Sequence, residues 1–195
     1  MTSIKGLKIS GELGLVRLHA ISRSSCLLPA FCSILAGSQI NIPFLSAEYQ
    51  AGSIQATCCV DAEHRDLLKR LLSSEPDLHK RTEYTSGVGL LTLYPHQSSL
   101  KLFGLSLRTL TKAGLRVFAM ASSIGALTYV LDYAQLDNAA AVLLARFELA
   151  ENHAPFKAEY TVSGNPAPAR ERGVRAWKPL PCTGSRKLRP TVSMS

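Results

Sequence analysis

The second half of this 195-residue chain repeats the pattern of the first half at a nearly constant distance. The same offset in sequence number joins four pairs of positions, namely Gly14 and Gly89, Leu35 and Leu110, Ile40 and Leu115, and Ile42 and Val117. Further along, the offset between Ile54 and Leu127 is shorter by two, so one turn of the first copy is predicted to be two residues longer. Repetition at a fixed offset is the signature of a duplicated structural unit. The sequence therefore predicts two copies of one fold.

The second copy shows the unit most clearly, because its apolar spacing alternates between strand and helix periods. The predicted elements are a strand over 88–94, a helix over 102–110 ended by Gly114, strands over 115–119 and 127–131 around a turn at 122–125, a helix with Leu136, Ala140, Leu143 and Phe147 on one face, and a strand near 147–149. The order β-α-β-β-α-β is that of a ferredoxin-like unit. The predicted fold class is therefore α+β.

The first copy follows the same order. Its predicted elements are a lead-in strand or arm over 4–10, a strand over 13–20, a helix with Leu28, Phe31, Cys32 and Leu35 on one face, strands over 40–44 and 54–60, a helix capped by Asp61, a connector over 73–77 and a closing strand over 81–84. Pro43 lies within the strand over 40–44. Because proline cannot donate a ladder hydrogen bond, this strand is predicted at a sheet edge.

Part of the second copy also resembles a known family. A helix ending in Leu-x-x-Ala-Gly-Leu-Arg-Val (110–117), a Ser-Ser turn at 122–123, and Leu-Thr-Tyr-Val-Leu-Asp (127–132) together resemble the ACT domain. The nearest variety is the paired regulatory domains at the C-terminus of aspartokinases. The resemblance implies two ferredoxin-like ACT-type domains in tandem, which act as a regulatory pair without their enzyme.

Pattern and composition divide the chain into four segments. The first ACT-like domain is predicted over 1–84 and the second over 85–150. An additional strand is predicted over 151–163, where residues 156–162 alternate apolar and polar, and in the aspartokinase pattern it would complete the sheet of the other copy. Residues 164–195 form a Pro-, Gly- and Arg-rich tail that buries too little apolar surface to fold alone. Residues 151–195 carry +5 of the net charge of +8.

Catalytic and metal-binding patterns are missing from the sequence. The five histidines show no H-E-x-x-H spacing, and the chain has neither a G-x-S-x-G elbow nor a glycine-rich phosphate loop. The five cysteines form no C-x-x-C motif, and the adjacent Cys58 and Cys59 are expected to point to opposite faces of a strand. Asp61 and Asp132, at strand ends, are interpreted as helix caps. We therefore expect no enzyme activity, no cofactor and no metal.

The composition also limits location and membrane contact. Apolar residues make up 46% of the chain, enough for a core, and charged residues interrupt every long apolar stretch. A membrane span is not expected. The N-terminus lacks a signal-peptide pattern, so a cytoplasmic location is expected.

The resemblance to aspartokinase ACT pairs implies a small-molecule effector, an amino acid, bound where two ACT domains meet. The unpaired N–H groups at a helix start suit an effector carboxylate. The positions that match the loops before the first helix of each copy are Arg23, Ser24 and Ser25, and His96, Gln97, Ser98 and Ser99. Those along the second strands are Gln39, Asn41, Ala121 and Ser122. The alternative is that Ser25 and Ser99 are only N-caps.

Two expectations concern partners. An edge strand and a partly apolar sheet face are features that proteins tend to cover, which favours a two-fold homodimer with the effector at an ACT–ACT contact. The rival function is nucleic-acid binding, or another interaction through the basic tail. Against it, the third strand of the second copy has Tyr129 and Tyr133 without the basic and glycine neighbours of an RNA-binding sheet.

Overall fold

The computed structural model describes residues 3–22, 27–50, 52–94 and 99–149, which contain nine strands and five α-helices. The strands are β1 (Ser3–Ile4), β2 (Gly6–Ile9), β3 (Leu13–Ser22), β4 (Phe44–Gln50), β5 (Ser53–Asp61), β6 (Thr82–Tyr94), β7 (Val117–Ser122), β8 (Leu127–Asp132) and β9 (Glu148–Leu149). The helices are α1 (Leu27–Gly37), α2 (Arg65–Ser73), α3 (Pro76–Arg81), α4 (Leu100–Lys112) and α5 (Leu136–Leu144). The α+β fold class predicted from the sequence is confirmed.

One antiparallel sheet runs through both copies. Its strand order is β4-β5-β3-β6-β8-β7, and β2 pairs with β6 beside this path. The first half of β6 pairs with β3 of copy one, and its second half pairs with β8 of copy two. β6 is therefore both the fourth strand of the first unit and the first strand of the second. The predicted domain boundary between residues 84 and 85 lies within this continuous strand, and the division into domains stays a prediction.

The N-terminal segment completes the sheet of the second copy. β2 lies antiparallel to β6, with Gly6 opposite Tyr94 and Ile9 opposite Leu91, while β1 pairs in parallel with β9. This is the arm expected over 4–10. With β2 in the fourth position, each copy has the ferredoxin-like strand order, its fourth strand beside its first. The additional strand expected over 151–163 and the basic tail over 164–195 lie outside the described residues.

Each copy buries its own core between sheet and helices, and a third core joins the copies. The copy-one core includes Phe31, Leu35, Leu68, Leu72 and Leu78, and the copy-two core includes Ile4, Leu7, Leu110, Tyr129 and Leu143. The third cluster lies on the helix-free faces and includes Leu15, Phe44, Cys59, Val88 and Val130. β4 contacts β7, and the Arg17 Nη2 donates to the carbonyl of Phe118 over 3.3 Å. The sheet therefore curves until its two helix-free faces cover each other.

The glycines that mark the repeat are explained by packing. A Cβ on Gly14 would overlap the ring of Tyr84, and one on Gly89 would lie 2.5 Å from Cδ1 of Leu136. Both positions face the helix side of the sheet, where a side chain presses directly on the backbone. A side chain at either position would force Tyr84 or Leu136 to move, so this close approach favours glycine at both.

Several local predictions need correction. The strand predicted over 40–44 begins only at Phe44, because Pro43 lacks the N–H that a ladder needs; the edge position of this strand is confirmed. The connector predicted over 73–77 leads into α3, where Pro76 begins a helix too short to show a periodic stripe.

The repeat offset after the hairpin is also shorter, by two positions, than the sequence predicted. Leu13 lies opposite Asp61 and Val88 opposite Asp132, which makes Asp61 and Asp132 the matching residues of the two copies. The hairpin between β4 and β5 is therefore longer than that between β7 and β8 by four residues, twice the predicted difference. The alternation of apolar residues could not distinguish the two offsets, because a register shift of two residues keeps every side chain on the same face of the sheet.

Candidate functional site

The start of α4 is the predicted site element that the structure describes best. The Ser99 Oγ accepts a hydrogen bond from the backbone N–H of Leu102 over 3.1 Å, so Ser99 is the N-cap of this 13-residue helix. Leu100, the first helical residue, is 83% exposed. His96, Gln97 and Ser98 lie outside the described residues. The start of α4 thus presents N–H donors to solvent beside an exposed apolar side chain.

Ala121 and Ser122 lie at the same end of the copy-two sheet as Ser99. Ser122 pairs with Leu127, which pairs with Leu93, one residue before β6 ends at Tyr94. The chain leaves β6 at this point toward the loop that precedes α4. The structure therefore brings Ala121 and Ser122 to the end of the sheet that carries the predicted loop. Both side chains are at least partly exposed there.

Gln39 does not lie on a strand. It follows α1 with a φ of 56°, and its N–H donates to the carbonyl of Ala36 over 3.1 Å. The matching residue in copy two is Gly114, with a φ of 71°. The left-handed conformation ends each helix. Gln39 is therefore a helix C-terminal residue, and its backbone role explains its position without a ligand.

Gln39 and Asn41 also lie at the wrong end of the copy-one sheet for the predicted loop. They precede β4, which begins at Phe44 opposite Cys59. The loop with Arg23, Ser24 and Ser25, which lies outside the described residues, follows Ser22, and Ser22 lies opposite Ser53. Six residues of β5 separate these two ends, about 20 Å at the strand rise. The structure does not bring Gln39 or Asn41 to that loop within one copy.

Asn41 instead lines a cavity of about 680 Å³ that the sequence did not reveal. Its walls come from three separate segments, the turn between β2 and β3, the approach to β4, and the end of β5. The lining residues are Ser10, Gly11, Glu12, Leu13, Asn41, Ile42, Pro43, Asp61, Ala62 and Glu63. The available signal was that these segments all flank strand ends at one end of the copy-one sheet.

The acidic residues at this cavity differ from their counterparts in copy two. Asp132 caps the turn after β8, its Oδ1 accepting from the N–H of Ala134 over 3.0 Å. Asp61 makes no side-chain cap hydrogen bond, so the cap interpretation is confirmed for Asp132 and wrong for Asp61. The ligand atoms of Asp61, Glu63 and His64 lie within 4.8 Å of one another. Exposed acidic groups often show this spacing without an ion, and we assign no metal to them.

The adjacent thiols of Cys58 and Cys59 are both buried. Cys58 belongs to the copy-one core and Cys59 to the cluster between the copies, so the prediction that they point to opposite faces is confirmed. Burial raises the pKa of each thiol to about 12. Both are therefore protonated near neutral pH, and a protonated thiol is a poor nucleophile and metal ligand.

Tyr129 cannot stack on a nucleic-acid base. Its side chain is fully buried between the sheet and α4, and its hydroxyl is hydrogen-bonded to the Ser106 Oγ over 2.6 Å. Burial raises the pKa of the phenol, and the Ser106 hydrogen bond opposes that shift. This sheet therefore does not offer Tyr129 as the aromatic platform of an RNA-binding domain.

Within residues 3–22, 27–50, 52–94 and 99–149, none of the helices has the length and hydrophobicity of a membrane span. No protein-family model and no curated protein matches the sequence.

Solved aspartokinase structures share the fold. The ligand-free regulatory subunit of aspartate kinase from Thermus thermophilus matches with a TM-score of 0.65 at 12% identity, over 75% of this chain and 100% of that one. Synechocystis aspartate kinase matches with a TM-score of 0.67 at 14% identity, over 80% and 29%. E. coli aspartokinase III in complex with lysine and aspartate matches with a TM-score of 0.57 at 19% identity, over 75% and 33%. The predicted resemblance to the regulatory domains of aspartokinases is confirmed at the level of the fold.

Proposed function

We propose that this protein is a non-catalytic regulatory protein that binds a small effector, an amino acid, between ACT-type domains. One observation carries the proposal: the chain matches the whole length of a separate aspartate kinase regulatory subunit, but only about a third of E. coli aspartokinase III. The E. coli enzyme was solved with lysine and aspartate. These matches support a regulatory role for this chain and an amino acid as its effector.

The start of α4 is the proposed effector site. The first N–H groups of a helix lack intrahelical partners, and Ser99 satisfies that of Leu102. The N–H groups of Leu100 and Lys101 are then the donors for an effector carboxylate, with the helix dipole adding positive potential. Ser122 and Ala121 lie at the same end of the sheet. Arg23, Ser24 and Ser25 are proposed to act in the same way at the start of α1.

We further propose that two copies of the chain form a two-fold dimer, with an effector site at an ACT–ACT contact. Leu45 and Tyr49 on the edge strand β4 are 52% and 58% exposed, which supports an apolar contact there. Binding at such a contact would change how the subunits fit together, and a separate enzyme could respond to that change.

The described cysteines are unpaired, as expected for the proposed cytoplasmic location.

One experiment tests site and assembly together. The melting temperature of the protein is measured against the common amino acids, and light scattering gives its mass in the same samples. An effector at 100 times its dissociation constant is expected to stabilise the fold by about 2.7 kcal/mol. Ser98→Pro combined with Ser99→Leu should abolish that response. Asp132→Ala, which removes a cap elsewhere in copy two, should lower the melting temperature but keep the response.

Two results would contradict the proposal. A response that survives the Ser98 and Ser99 replacements would place the effector elsewhere. A monomer of 21.1 kDa at high micromolar concentration, with no response to any amino acid, would remove both the dimer and the effector.

A further inference from the structure

The cavity beside Asn41 in copy one has the size and the walls of a ligand site. Its volume of about 680 Å³ falls within the usual range of small-molecule pockets. Leu13, Ile42, Pro43 and Ala62 supply apolar surface, and Leu13 is 3% exposed. Ser10 is held in place because its Oγ donates to the carbonyl of Gly11 and accepts from the N–H of Leu90. The floor of the cavity is thus rigid and partly apolar.

The charge of the cavity is negative. Glu12, Asp61 and Glu63 line it, and within the described part of the chain none of them forms an ion pair with a lysine or arginine. His64 lies 3.8 Å from the carboxylate of Glu63. Arg65 follows directly in sequence, but its guanidinium lies over the ring of Tyr84, 5.7 Å from the centroid. Like charges around one concave surface focus a negative potential into it.

Copy two shows that this charge is not a requirement of the fold. The residues matching Asp61, Glu63 and His64 are Asp132, Ala134 and Gln135. Asp132 is the one acid among these three, and it caps its own turn. In copy one the matching carboxylate makes no cap bond, and a second carboxylate is close by. The carboxylate is therefore used by the backbone in one copy and left available in the other.

We infer that this cavity binds a small organic cation, an aliphatic primary amine or diamine. The ammonium group has three donors, which match the carboxylates of Glu12, Asp61 and Glu63. The hydrocarbon part packs on Leu13, Ile42 and Pro43. This site is independent of the proposed effector site, because it lies at the opposite end of the copy-one sheet from the loop over 23–26 and in the other copy from α4.

An organic cation fits the cavity better than a bare metal ion. A metal would draw its ligands from Asp61, Glu63 and His64, and it would leave the apolar wall and Glu12 without a role. A divalent ion does not need hydrocarbon contact. An alkyl ammonium ion can use both the carboxylates and the apolar wall of the cavity.

Calorimetric titration with 1,5-diaminopentane at low salt tests the inference on the full chain. The unmodified protein should bind the diamine, and glutarate, of the same length with opposite charge, should not bind. Asp61→Asn combined with Glu63→Gln should weaken diamine binding by about tenfold or more, since each charge-assisted hydrogen bond contributes that much. Asp132→Asn, the matching change in copy two, should lower stability but leave diamine binding unchanged.

A second variant blocks the space and keeps the charge. A Cβ on Gly11 would meet no atom within 4 Å, so Gly11→Leu can fold and fill the cavity. It should abolish diamine binding, whereas Gly125→Leu, at an equally open glycine in copy two, should not. Ser98→Pro with Ser99→Leu should also leave diamine binding intact, which separates this site from the effector site.

Three results would overturn the inference. The first is no diamine binding by the unmodified protein. The second is binding that is unaffected by both the Asp61/Glu63 and the Gly11 variants. The third is binding of MnCl₂ but not diamine, lost with Asp61→Asn, which would make the cavity a metal site instead.

Discussion

The two copies share one fold but complete it with different parts of the chain. Copy one takes its fourth strand from β6, which follows it directly, whereas copy two takes its fourth strand from β2 at the other end of the sequence. β6 then serves both copies. The repeat is therefore interlocked, because a strand near the start of the chain completes the sheet of the second copy.

In each copy a helix packs on the sheet, and one large side chain fills the space between them. In copy one this side chain comes from the helix, and in copy two it comes from a strand. Phe31 of α1 matches Ser106 of α4 at the repeat offset that holds before the hairpins, and Cys58 of β5 matches Tyr129 of β8 in the strand register after them. Copy one therefore combines a helix phenylalanine with a small strand residue, and copy two combines a strand tyrosine with a small helix residue. The total side-chain volume at this position of the core is similar in both copies, as close packing requires, but a different residue supplies it.

The largest expected effect comes from the N-terminal strands β1 and β2, which pair with strands of copy two. Ile4 and Leu7 are 0% and 6% exposed and belong to the copy-two core. Ile4→Ala and Leu7→Ala should each lower the free energy of unfolding by about 2–5 kcal/mol. Urea unfolding measures the loss, and hydrogen exchange should show it first at the amides of the second half of β6 and β8.

Ile124→Ala is the control, because Ile124 is an apolar residue that is 84% exposed and lies in no proposed contact. It should cost less than about 1 kcal/mol, close to the size of a surface change. If Leu7→Ala reduced amide protection in copy one as much as in copy two, the two copies would unfold as one unit. That result would contradict the expected difference between them.

The polar pair in the copy-two core should give an intermediate effect. The Ser106 Oγ donates to the carbonyl of Leu102 over 2.7 Å and is hydrogen-bonded to the Tyr129 hydroxyl over 2.6 Å. Tyr129→Phe removes the second bond and should cost about 1 kcal/mol near neutral pH. Ser106→Ala should lower the free energy of unfolding more than Ser33→Ala does. Ser33 is an exposed residue of α1 whose Oγ also donates to the carbonyl four residues earlier, that of Pro29. Urea unfolding of the three variants compares these losses.

The pH dependence of Tyr129→Phe follows from the raised pKa. Above about pH 10 the unfolded tyrosine loses its proton while burial holds the folded one neutral, so the stability of the unmodified protein falls as pH rises. Tyr129→Phe lacks this loss. The stability gap between the two proteins should therefore narrow as the pH rises through about 10 in urea titrations. A constant gap would show that Tyr129 ionises as freely in the fold as outside it.

The smallest expected effect comes from the helix ends. Gln39 is the one non-glycine residue with a positive φ in the described part of the chain, and Gly114 holds the same place in copy two. Gln39→Gly should raise the free energy of unfolding by about 0.5–1 kcal/mol, because glycine has no Cβ penalty in this conformation. Gly114→Gln should lower it by a similar amount. Thermal melts of both variants test this. If both changes shifted stability in the same direction, the two helix ends would not be equivalent.

Much of the fold was predictable because it depends on local spacing. The stripes on α1, α4 and α5, the strands β3, β5, β6 and β8, and the helix end at Gly114 all follow from periodicity and glycine chemistry. The constant offset between matching positions also revealed the duplication. α3 was not predicted because so short a helix shows too little periodicity. The cap interpretation of Asp61 was wrong because a residue type that often caps helices does not always make the capping hydrogen bond.

The candidate sites were predictable only in part. Ser99 was identified correctly as a helix start, and Ala121 and Ser122 fall at the matching end of the sheet. Gln39 and Asn41 were assigned to a strand, whereas the helix before them ends in a left-handed residue and the strand begins only after Pro43. No spacing rule indicated the acidic cavity, since its three wall segments are far apart in the sequence.

The sequence by itself determined which segments are helices and strands and that they form two related units, because side-chain periodicity acts within a few neighbouring residues. Tertiary structure alone decided which strands pair. Residues 6–9 lie against residues 91–94, the helix-free faces close on each other, and Glu12, Asp61 and Glu63 meet around one cavity. The reason is that strand pairing and charge clustering depend on contacts between distant residues, whose partners no local pattern specifies.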